Sequence, residues 1–151
     1  FIYVAEASAP KALQLGRYLP ATPIRLLLEK TGKNLAPNVP FDNFNRQLKP
    51  IGRQNAAKLV TALQSTIHPL IAKAQAYAET QLAHIQQEAQ QKMQQQLQAQ
   101  IERLQALAKI NPSVRPEEVE HLQSIKSQLT DYIAKARLKF DAIRVIVVSH
   151  E

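Results

Sequence analysis

Hydrophobic positions along this chain change period several times, and each change marks an element. The opening run Phe1-Ile2-Tyr3-Val4-Ala5-Glu6-Ala7 is rich in β-prone residues and ends before Pro10, and Ile24 to Glu29 forms a second apolar run. Both predict strands. Lys30-Thr31-Gly32-Lys33 follows the second run, and Gly32 can supply the positive φ of a tight turn, so a hairpin from residue 24 to about residue 36 is expected. From about Phe41 the pattern becomes helical, with Asp42 or Asn43 as the expected N-cap of a short helix that Pro50 and Gly52 end. Leu59, Leu63, Ile67, Leu70 and Ile71 then fall at spacings of three and four, one face of an amphipathic helix. Pro69 removes a backbone hydrogen bond and crowds the turn before it, which predicts a kink or break near His68.

Eleven Gln lie between Gln81 and Gln105, a composition typical of disordered tracts. The apolar residues argue otherwise. Ala74, Ala78, Leu82, Ile85, Ala89, Met93, Leu97, Ile101, Leu104 and Ala108 make one continuous stripe, and Gln is a good helix former. Their mean spacing of about 3.8 exceeds the 3.5 of a left-handed coiled coil and predicts a straight or slightly right-handed helix. Asn111 to Pro116 reads as a turn, with Pro116 at the first helical position and Glu117, Glu118 and Glu120 facing the positive end of the helix dipole. A return helix to about Lys139 follows on Val119, Leu122, Ile125, Leu129, Ile133, Ala136 and Phe140. Finally, the nearly unbroken apolar segment Ala142 to Val148 predicts a central strand, buried on both faces.

These elements predict an α+β fold: a small antiparallel or mixed β-sheet body carrying a long antiparallel helical hairpin, a coiled-coil-like arm. The body is assigned to residues 1–50 and 141–150, the arm to residues 53–109 and 116–139, within one domain of 151 residues. The chain opens at Phe1 inside an apolar run without Met and is read as a fragment of a longer protein.

Charge adds a direction. Residues 1–60 hold nine Lys or Arg against Glu6, Glu29 and Asp42, while the remainder is almost neutral, so most of the formal +7 lies at the front. The candidate interaction residues are therefore Arg17, Arg25, Lys30, Lys33, Arg46, Lys49, Arg53 and Lys58. Arg17 and Arg25 flank buried-looking positions and are also candidates to pair with Glu6 or Glu29. Phosphates of nucleic acid and an acidic protein face would both suit such a surface. Phe1, Tyr3, Tyr18, Phe41 and Phe44 read as core rather than as base-stacking groups.

Chemistry is scarce. Gly16, Gly32 and Gly52 are isolated, so there is no Gly-rich phosphate loop. His68, His84, His121 and His150 lack metal-ligand spacing, and no Ser has a nucleophile-elbow context. No catalytic residue, cofactor, metal or small-molecule substrate is assigned. Zero Cys fits a reducing compartment, and the absence of an apolar run long enough for a membrane span predicts a soluble, cytoplasmic protein with no membrane partner.

Several ordered blocks carry a family resemblance. Ala9 to Leu28, Gly32-Lys33-Asn34-Leu35-Ala36, Phe44-Asn45-Arg46-Gln47-Leu48, Asn111-Pro112 and Asp141 to His150 resemble the C-terminal region of the RapA family, the bacterial RNA polymerase-associated, Swi2/Snf2-like ATPases. The match is clearest over residues 1–63 and 110–150. The resemblance implies a parent that binds core RNA polymerase and uses ATP hydrolysis to recycle it. It places ATP and Mg in motor lobes upstream and carries no catalytic residue onto this chain. The expected role is a non-catalytic accessory domain whose partners are core RNA polymerase, the parent's own ATPase lobes, or both. Two alternatives remain open: a basic module making weak nucleic-acid contacts, and a structural coiled-coil module that oligomerises through the arm.

Overall fold

The computed structural model describes residues 1–148 and has the α+β architecture that the pattern predicts. A three-stranded antiparallel sheet combines β1 (Ile2–Glu6), β2 (Thr22–Arg25) and β3 (Arg137–Ala142), in the order β2-β1-β3. Four helices follow β2: α1 (Phe41–Arg46), α2 (Arg53–Ala62), α3 (Gln64–Ala108) and α4 (Pro116–Ala134). The chain divides into two compact units. The first contains Phe1–Tyr3, Pro23–Thr80 and the chain from Phe140 onward; the second contains Val4–Thr22 and Gln81–Lys139.

In the first unit, β1 and β2 run antiparallel, closed by the reciprocal bonds Leu26 N to Phe1 O at 2.9 Å and Phe1 N to Leu26 O at 3.0 Å. Tyr3, Ile24 and Leu26 are buried, and Phe140 of β3 meets Tyr3 edge to face at 5.4 Å. The expected hairpin is present, with Leu28 bridged to Asn34. Its tip is a turn closed by Gly32 N to Glu29 O at 2.8 Å, after which Gly32 takes φ 91° and Glu29 N reaches Lys33 O at 3.1 Å. This is the three-residue loop in which a left-handed residue follows a type I turn, and glycine adopts that φ without steric cost. Asn34 supports it, its Oδ1 accepting from the N–H groups of Leu27 and Ala36.

In the second unit the Gln-rich segment is helical throughout. Ala89, Met93, Leu97 and Ile101 of α3 are buried, as are Leu129 and Ile133 of α4. The cluster is completed by Leu13, Leu15, Tyr18 and Leu19, which two short helical turns (Lys11–Leu13 and Leu15–Arg17) turn inward. Two of the glutamines have structural work. The Gln86 amide donates to Ile133 O at 3.1 Å and Ala134 O at 3.0 Å, and the Gln90 amide to Thr130 O at 2.8 Å. The last carbonyls of a helix have no intrahelical donor, so Gln86 on α3 serves as the C-terminal cap of α4. At the other end of α4, Pro116 takes the first position, and Glu118 accepts from the Arg115 N–H at 3.4 Å.

Four local expectations are corrected. The C-terminal strand is Arg137–Ala142 rather than Ala142 to Val148, and it is a sheet edge; β1 is the central strand. The physical reason is alternation: Leu138 and Phe140 share one face with charged Arg137, Lys139 and Asp141 on the other, the pattern of a strand covered on one side. Residues 143–148 are not in a strand, and Ser149, His150 and Glu151 lie outside the described residues. The return helix accordingly ends at Ala134, where Lys135 leaves helical geometry. The second strand is Thr22–Arg25, earlier than the run Ile24 to Glu29, since the chain from Leu27 onward enters the hairpin turn. Pro69 lies inside a continuous α3; the interruption falls at Leu63, between α2 and α3.

Two substitutions test these assignments. Gln86→Ala should lower unfolding free energy by about 1 kcal/mol, because the α4 carbonyls lose a donor. Exposed Gln91→Ala should leave it unchanged, and thermal melts of the two variants would separate the roles. Gly32→Ala should destabilise by about 1–2 kcal/mol, since any side chain at positive φ is strained.

Candidate functional site

The structure sorts the eight basic candidates by position. Arg17 lies in the second unit and the other seven in the first. Arg17 is exposed, and its backbone carbonyl accepts from Lys92 at 3.2 Å. Arg25 is used internally rather than against Glu6 or Glu29. Its guanidinium donates to Val39 O at 2.8 Å and lies 5.4 Å over the Phe41 ring, tying β2 to the start of α1. Lys30 and Lys33 project from the hairpin tip and are exposed.

Arg46, Lys49, Arg53 and Lys58 occupy the α1–α2 segment, all exposed. This segment has an unusual property: neither α1 nor α2 contains a buried residue. Between and beside the basic side chains stand exposed apolar ones, Phe41 at 50%, Ile51 at 51% and Val60 at 42%. The chain after β3 comes to the same place, since Arg144 donates to Asn45 Oδ1 of α1 at 2.9 Å. It brings Ile143, Val145 and Val147, which are likewise exposed. Mixed apolar and cationic side chains are thus exposed on α1, on α2 and on the 143–148 segment, the last tied to α1 by the Arg144–Asn45 bond.

Sequence reasoning missed two residues at the hairpin tip. Lys73 of α3 donates to Thr31 O at 2.8 Å, and its stem crosses Gly32, which is buried beneath it. Tyr77, one turn on, is 39% exposed. Their spacing of four was a legible signal, since it sets both on one helix face, but the hairpin's position against that face is a nonlocal fact. An open cleft of about 540 Å³ lies here. Within the same unit the Tyr3 phenol is held above its ordinary pKa, first by burial and then by the charge of Glu79.

Among the described residues no three of His, Cys, Asp and Glu converge as metal ligands, and no helix is long and apolar enough to cross a membrane. Two further clefts lie in the second unit, on the α3–α4 pair; one of about 400 Å³, lined among others by Gln98, Ile101, Gln105, Lys126 and Asp131, is open and lacks the enclosure of a small-molecule site.

Residues 1–148 match the family described as RNA polymerase recycling family C-terminal. The chain is 47% identical over 149 residues to the RNA polymerase-associated protein RapA of Photobacterium profundum, covering 99% of this chain and 15% of that protein. It is 45% identical over 150 residues to the RNA polymerase-associated protein RapA of Pectobacterium atrosepticum, covering 99% of this chain and 16% of that one. The matched region is thus a small part of each relative's length. With the family pattern extending over nearly every residue, from β1 through the segment after β3, this chain belongs to the C-terminal domain family of RNA polymerase recycling proteins.

Proposed function

We propose that this chain is a non-catalytic interaction domain of an ATP-dependent RNA polymerase recycling factor, and that the α1–α2 surface is its contact face. The carrying observation is that α1 and α2 bury no residue. Isolated helices shorter than roughly 12 residues are marginal in water, and helical stability in proteins comes chiefly from burying an apolar face. A ten-residue helix such as α2, with Val60 exposed and Leu59 only partly buried, is expected to gain its stability from a surface outside this chain. Phe41, Ile51 and Val60 set among Arg46, Lys49, Arg53 and Lys58 suit a protein partner with an acidic rim around an apolar centre. The partner is core RNA polymerase, the parent's own ATPase lobes, or both, in the bacterial cytoplasm. ATP and Mg act in those lobes.

The mixed composition distinguishes this from a surface that binds by charge alone. Charge-only binding to a polyanion falls steeply with salt, whereas a contact with an apolar centre persists and depends on a few residues. In a pull-down with core polymerase, Ile51→Asp and Lys49→Glu together should reduce retention of the full-length protein at moderate salt by tenfold or more, an effect of about 1.4 kcal/mol or greater. Equal retention of variant and wild type would remove the polymerase contact from this face. The chain should bind no ATP in calorimetry, because nothing in it cradles a triphosphate; stoichiometric binding would overturn the non-catalytic reading.

A further inference from the structure

At the hairpin tip a second surface differs in chemistry from α1–α2. The cleft there is lined by Thr31, Lys33, Lys73, Tyr77 and Thr80, with Ala76 leaving room between the last three. Its lining carries two ammonium groups and three hydroxyls, of which Thr31 already donates to Glu29 Oε1 at 2.6 Å and Thr80 to Ala76 O at 3.1 Å. Of the two acidic side chains close in sequence, Glu79 is engaged by the Gln75 amide at 2.9 Å, while Glu29 stands at the cleft's rim, accepting from the Thr31 hydroxyl at 2.6 Å. Lys73 is held in place by Thr31 O, which takes one of its three donors and leaves the others for a ligand. Lys73, Tyr77 and Thr80 follow each other at i, i+4 and i+7, so cation, ring and hydroxyl stand in a row along one helix face.

We infer that this cleft holds the backbone of a single-stranded nucleic acid, with Lys33 and Lys73 on phosphates and the Tyr77 ring stacked under a base. The two ammonium groups, Lys33 and Lys73, select an anion such as a phosphate. The exposed ring beside them selects a strand whose bases are free, since a π-face offers a duplex backbone nothing and a single strand a stacking platform. The hairpin carries Lys30 beyond Lys33, which extends the cationic track along the strand.

The test uses the full-length protein and a uridine oligonucleotide bearing 5-iodouridine, cross-linked by light, with the attachment points mapped by mass spectrometry. The expected result is a cross-link on the peptide that contains Tyr77, lost in Tyr77→Leu. In Lys33→Gln/Lys73→Gln its yield should be severalfold lower and its salt slope shallower by roughly 1.4, about 0.7 for each phosphate contact removed from a single strand. Because Lys73 also supports the turn, Lys33→Gln alone serves as the second variant; it leaves the melting temperature unchanged and should lower the slope by about half as much. Absence of any cross-link between Lys73 and Thr80 in the wild type, an unchanged cross-link in both lysine variants, or preferential cross-linking to a duplex of equal length would each overturn the inference.

Discussion

A helix of 45 residues rich in glutamine has little in its own sequence to hold it in one conformation; what fixes α3 is the burial of a narrow apolar stripe. In the second unit that stripe is Ala89, Met93, Leu97 and Ile101, and each large side chain removed from water contributes about 1.5–3 kcal/mol. Leu129 and Ile133 of α4 and the Leu13 to Leu19 segment supply the opposite wall. In the first unit the stripe narrows to Ala74 and Ala78, both fully buried. Small side chains there let another backbone approach closely, and beside Ala74 the Lys73 stem lies across Gly32 of the hairpin.

The glutamines follow from the same geometry. Flanking a narrow stripe, they sit close enough to α4 for their amides to reach its carbonyls, and Gln86 does so where α4 most needs a donor. Glutamine suits the position because its amide nitrogen donates two hydrogen bonds without carrying a charge that burial would penalise. Further along the hairpin Lys126 donates to Gln98 at 2.9 Å, so the polar flank also takes part in the α3–α4 contact. A tract that composition alone would class as disordered is ordered by a stripe and by a cap at the end of its partner.

The helices and the hairpin turn were legible because their signals are local: the 3.6-residue period of α3 and α4, Pro116 at a helix start, Gly32 at a positive φ. The sheet edge was not. The nearly unbroken apolar run at Ala142 to Val148 outweighed the alternation of Arg137 to Ala142, although alternation is the better sign of a strand covered on one face. The place of Leu13, Leu15, Tyr18 and Leu19 was also hidden, since residues in short helical turns follow neither period and their partners lie far along the chain, on α3 and α4. For the site, charge pointed to the front of the chain but could not tell Arg25, held internally by Val39 O and the Phe41 ring, from Lys33, which is free to meet a ligand. Lys73 and Tyr77 escaped because only the fold brings them to the hairpin.

The misjudged apolar run carries a consequence of its own. Ile143, Val145 and Val147 would be costly to leave in water on an isolated domain, yet they lie beside α1, held there by Arg144 and Asn45, and α1 and α2 expose apolar side chains as well. Three neighbouring segments that each fail to bury their hydrophobic residues share one cause more simply than three. The proposed function supplies such a cause, a common covering surface, and large exposed apolar patches ringed by polar groups ordinarily mark such contacts. The run that reads as a buried strand in the sequence is therefore apolar for an intelligible reason. On the function proposed above, its burial is completed by the partner that covers α1 and α2, and the arginines and lysines around it set which partner that can be.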